Sequence, residues 1–124
     1  MAGFAYPYDA WTATAEGILR DNGILYARRA TGKGSFQFPS NPLNYVPTCW
    51  FNARNVFKLI DEFIAIEPCD ENLLFMMWGH AYEMDYGFRK CSRDQLERIL
   101  CAIAGKEGIE YCTNRQAFES GNRR

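Results

Sequence analysis

Hydrophobic positions along the chain switch between two spacings, and the switches predict alternating strands and helices. Gly3-Phe4-Ala5-Tyr6 reads as a short extended run stopped by Pro7, whose ring removes a backbone donor. Asp9 is placed to cap a helix over Ala10 to Asp21, with Trp11, Ala15, Ile18 and Leu19 on one face. Asn22-Gly23 ends it, and Ile24-Leu25-Tyr26-Ala27 is a second strand. A long loop rich in Gly, Ser, Asn and Pro occupies 28–47. Phe36, Phe38, Leu43 and Tyr45 punctuate it, so it is expected to pack down on the domain.

The second half repeats the alternation. A helix is predicted from Asn52 to Ile66, with Val56, Leu59, Ile60 and Phe63 as its buried stripe. Leu73-Leu74-Phe75-Met76-Met77-Trp78 is an uninterrupted apolar run, the pattern of a strand buried on both faces. Ser92 caps a helix to Ala104 that turns Leu96, Ile99, Leu100 and Ile103 inward. Gly105 and Gly108 mark its exit, Ile109-Glu110-Tyr111-Cys112 is a last strand, and a helical turn over Asn114 to Glu119 leads into a loose tail, 120–124. This alternation predicts an α/β domain spanning 1–124, with parallel strands and right-handed crossovers. Working residues in such folds sit where strands end. Two places qualify: Tyr6-Pro7-Tyr8-Asp9 and Trp78-Gly79-His80-Ala81-Tyr82-Glu83.

Composition narrows the functional classes. The chain has 124 residues, of which 48% are hydrophobic and 23% charged, so it reads as a globular domain. A net charge of −1 argues against a nucleic-acid partner. Arg28-Arg29 reads as a solvated pair. No apolar run reaches membrane-span length. The five cysteines are odd in number and contain no C-x-x-C pair. They read as reduced thiols of a cytoplasmic protein, with Cys101 and Cys112 facing the core. Gly32-Lys33-Gly34-Ser35 lacks the spacing of a phosphate loop.

His80 is the single histidine. At a strand end beside Trp78, Tyr82 and Glu83 it has the intrinsic pKa of a proton donor near neutral pH, with Glu83 close enough to orient it. A structural hydrogen bond would explain the position equally well. One histidine cannot build a metal site or a serine triad unaided. The aromatic share of 15% exceeds what a small core needs. Rings at the strand ends suit either a sugar face or a hydrophobic interface.

Several of these stretches together resemble a known family. Phe4-Ala5-Tyr6-Pro7-Tyr8-Asp9 followed by a helix resembles the third motif of NodB-type polysaccharide deacetylases, carbohydrate esterase family four. Gly34-Ser35-Phe36 with Pro39, then Pro47-Thr48-Cys49, is similar to the loop that follows it in a bacterial branch. Leu74 to Asp85 resembles the fifth motif, an apolar strand ending in histidine, and Ile109 to Asn114 the final strand and turn. The resemblance implies the C-terminal half of a distorted (β/α) barrel. It also implies hydrolysis of acetyl groups from sugar polymers at a metal, usually zinc, that polarises the carbonyl and activates water. By position, His80 would be the acid towards the leaving amine. Tyr6, Tyr8 and Asp9 would belong to the groove wall or oxyanion site, and Trp78, with Tyr82 and Glu83, would border the acetyl pocket.

The chain departs from the pattern in places. The motifs carrying the catalytic aspartate and the zinc ligands have no counterpart here, so no cofactor is expected in this chain alone. Asp9 stands where the family usually has Gly, Ala5 where it often has Arg, and Trp50 where the branch often has His. The expectation is therefore a deacetylase-like chain inactive by itself, or a glycan-binding or self-assembling module. Half a barrel exposes strand edges, so a homodimer or a complementary N-terminal half is the expected partner.

Overall fold

The computed structural model describes residues 1–67, 71–86 and 92–121. Its elements follow in chain order: β1 (Gly3–Ala5), a 3-10 turn (Pro7–Asp9), α1 (Ala13–Asp21), β2 (Tyr26–Arg28), a second 3-10 turn (Pro42–Asn44) and β3 (Cys49–Trp50). After these come α2 (Val56–Ile64), β4 (Met77–Trp78), α3 (Tyr82–Asp85), α4 (Arg93–Ile103) and α5 (Asn114–Gly121). β1 pairs with β2 in parallel, Phe4 opposite Ala27. β3 pairs with β4 in parallel, Cys49 opposite Met77 and Trp50 opposite Trp78. A parallel bridge from Arg28 to Tyr45 links the segment leading into β3 to the first pair. The described strands thus form two small parallel sheets, and they do not close into a barrel.

Local chemistry explains several boundaries. α1 begins three residues later than the periodicity predicts, because Tyr8 and Asp9 both take left-handed backbone angles (φ 51° and 62°). Thr12 becomes the cap instead, its Oγ1 accepting the Ala15 N–H at 3.1 Å. Asp9 therefore caps nothing. Ser92 does cap α4 as its sequence position implies, accepting from Gln95 N–H at 3.1 Å. The apolar run 73–78 is not a strand buried on both faces. Only Met77–Trp78 forms ladder, every residue of the run is half-buried, and Leu73 makes an antiparallel bridge to Gln37. Ile109–Cys112 forms no strand; Tyr111 instead donates its hydroxyl to the Ile103 carbonyl at the end of α4.

Among the described residues two clusters make the core. Cys49, Phe51, Val56, Leu59, Ile60 and Ile99 form the larger, where α2 packs on α4. Tyr6, Ala27 and Leu43 form the smaller, with Trp11, Ala15, Leu19 and Ile24 around it. The loop does pack down: Phe36 stacks on Phe75 and meets Phe63 at 5.1 Å. α5 contributes Phe118, which is 1% exposed and lies against Tyr26, Phe38 and Tyr45. Ile18 and Leu100, predicted inward, are exposed, and so are Cys101 and Cys112, whereas Cys49 is buried. Burial pushes the Cys49 thiol up to about 11, which keeps it protonated and unreactive. Cys69 and Cys91 lie outside the described residues. No described helix is long and apolar enough to cross a membrane.

Candidate functional site

Because the strands are parallel, the C-terminal ends of β1 and β2 share one edge, and so do those of β3 and β4. At the end of β4, His80 is exposed and its ring lies between two aromatic neighbours. Tyr82 stacks on it at 5.2 Å with the planes 15° apart, and Trp78 meets it edge-on at 5.7 Å. Trp50, at the end of β3, lies 6.4 Å from Trp78. Gly79 lets the Phe51 ring close on the backbone beside His80, because a Cβ there would sit 1.9 Å from that ring.

Glu83 acts differently from the sequence expectation. It is 5% exposed, and its Oε2 accepts the Trp50 indole N–H at 2.9 Å and the backbone N–H of His80 at 3.3 Å. It therefore fixes the backbone at the start of α3, in the manner of a carboxylate reaching back three residues to a helix end. Among the described residues no hydrogen bond reaches the imidazole itself, so Glu83 anchors the platform and does not orient the ring.

The β1 end is arranged otherwise. Tyr6 is 3% exposed and donates its hydroxyl to the Leu43 carbonyl at 2.8 Å, so it is a core residue and not a groove wall. Asp9 accepts two bonds from Arg29, at 2.7 and 3.0 Å, and one from the Ala30 N–H at 2.7 Å. The Arg29 guanidinium holds the Asp9 carboxyl below the usual aspartate range, and the Ala30 amide adds to this against the opposing effect of burial. Of the three, only Tyr8 offers its ring to solvent, fully exposed.

Arg28 and Arg29 connect the two strand ends. Arg29 turns to Asp9, while the Arg28 guanidinium lies 5.2 Å from the centre of the Trp78 ring. Trp78 donates its indole N–H to the Thr31 carbonyl at 3.2 Å. Composition suggests a solvated arginine pair, but each side chain has a defined place. The signal was available: both residues follow directly after a predicted strand, where working residues collect.

The result is an aromatic platform on the surface. A separate groove of about 440 Å³ between α3 and α4, lined by Met84, Leu96 and Leu100 among others, includes none of Trp78, His80 or Tyr82. The described residues do not fit a zinc site. Among them no group of three or more His, Cys, Asp or Glu side chains comes together, and the Glu83 carboxylate beside His80 is already bonded to Trp50 and to the backbone. No protein-family model, curated protein or solved structure matches the chain.

Proposed function

We propose that this chain is a carbohydrate-binding α/β protein of the polysaccharide-deacetylase type, part of a (β/α) barrel, that holds a sugar polymer at its strand ends and does not remove acetyl groups unaided. The observation that carries this reading is the Trp78–His80–Tyr82 group at the end of a parallel strand, with His80 and Tyr82 exposed and Trp78 half-buried beside them. Pyranose faces are apolar enough to stack on such rings, and ring contacts of this kind add about 1 kcal/mol beyond area burial. In this reading His80 stands as the proton donor of a deacetylase site whose base and metal ligands would come from elsewhere, in a complementary chain or segment.

Titrating the purified chain with chitin tetramer tests the reading through tryptophan fluorescence. Saturable quenching is expected, and Trp78→Ala should weaken binding by about tenfold or more. No response to any of a panel of glycans would sink the binding part. Acetate release by the chain alone would sink the claim of inactivity.

A second reading, self-assembly, is favoured by β1. It pairs only with β2, leaving its outer edge without a strand among the described residues, and Phe4 on it is 36% exposed. Open edges invite pairing.

A further inference from the structure

We propose that Arg28 receives a carboxylate on the bound sugar, so that the glycan this platform takes is an acidic one. The inference rests on the reading of Trp78, His80 and Tyr82 as a glycan platform. Arg28 and Arg29 are neighbours at the end of β2 with opposite fates. Arg29 is neutralised by Asp9 through two bonds and also reaches Asn44 Oδ1 at 3.3 Å.

Arg28 has no carboxylate partner among the described residues. One of its N–H groups donates to the Arg29 carbonyl at 3.2 Å, and its charge rests on the Trp78 ring. A guanidinium carries five donors in a planar fork, so most of this fork is uncommitted. Arg28 is also half-buried, which makes an unanswered charge costly.

The indole beneath it fixes its direction, since a guanidinium on an aromatic face is held there by cation–π attraction. The same indole touches His80 from 5.7 Å. A sugar ring laid against Trp78 and His80 therefore has a planar, forked cation beside it. The group that matches a planar fork with two parallel hydrogen bonds is a carboxylate. A single available guanidinium also favours one carboxylate over a phosphodiester chain, which would call for several cations. The only carboxylate built into the platform, Glu83, is buried and bonded to Trp50 and the His80 backbone, so it leaves the Arg28 fork free.

The test compares two ligands on the full chain at low salt. One is a tetrasaccharide alternating glucuronic acid with N-acetylglucosamine; the other is the same molecule with its carboxylates reduced to alcohols. Binding is followed by calorimetry and tryptophan fluorescence. The carboxylated form should bind about tenfold tighter. Arg28→Gln should erase that preference by weakening the carboxylated ligand far more than the reduced one, and Arg28→Lys should restore only part of it. Equal affinity of the two ligands for the unsubstituted chain would overturn the inference and leave the platform standing. A preference that survives in Arg28→Gln would overturn the assignment to Arg28. Binding of neither ligand, nor of chitin tetramer, would remove the platform itself.

Discussion

Asp9 occupies a backbone position with φ of 62°, next to Tyr8 at 51°. Left-handed angles cost a residue with a Cβ, though Asp tolerates them better than most. The local strain is offset by the Arg29 pair and the Ala30 amide, which together tie the end of β1 to the end of β2. Asp9 both keeps the turn and supplies the tie. Its carboxyl titrates lower in the folded chain than in the unfolded one. The stabilisation is therefore complete above the ordinary aspartate pKa, about 3.9. It is lost progressively as pH falls from that ordinary value through the lower folded one, because over this range the unfolded state takes up the proton before the folded state does. Asp9→Asn should lower stability near neutral pH by about 1 kcal/mol. The gap between the two proteins in thermal melts should narrow as pH is taken below about 4. A gap unchanged down to the lowest pH would show that the carboxylate charge is not what holds the turn.

Elements with a clear helical stripe and a cap were legible from sequence. α2 buries Val56, Leu59 and Ile60, and α4 starts after Ser92 and buries Ile99. Ends governed by backbone or tertiary context were not. The start of α1 depends on left-handed angles at Tyr8 and Asp9 that periodicity cannot register. The run 73–78 is apolar because Phe75 and Met77 pack against the main core, yet most of it lacks a ladder partner. Tyr6 has the look of a site residue only until its hydroxyl finds Leu43 across 37 positions of chain. The platform was half legible: Trp78, His80 and Tyr82 follow from the strand-end rule, while Trp50 and Arg28 enter from other strands. α5 reads from sequence as a trailing turn, but Phe118 anchors it among three aromatic rings from β2 and the loop. Phe118→Ala should cost about 3–5 kcal/mol, read as a lower midpoint in urea denaturation with loss of the α5 helical signal. An unchanged midpoint would mean that the helix contributes nothing to the core.

At the scale of the whole molecule, the described residues present two parallel pairs joined through Arg28 and Tyr45, and among them β1 has no strand on its outer edge. On the self-assembly reading, light scattering should give a dimer mass at micromolar concentration, and Phe4→Lys, which puts a charge on that edge, should return a monomer. A monomer at every concentration would count against it. The three tryptophans are distributed across this frame, yet they share one property. Trp11 gives its indole N–H to Glu16, Trp50 gives its own to Glu83, and Trp78 gives its own to Thr31. Every indole donor is thus spent inside the protein, and on the glycan-binding reading a sugar laid on the platform would meet Trp78 only as flat, apolar surface. Such a surface registers the shape of a ring but not which way its hydroxyls point. Discrimination between epimers, such as glucose and galactose series, therefore falls to the polar groups beside the platform: the imidazole of His80, the phenol of Tyr82 and the fork of Arg28.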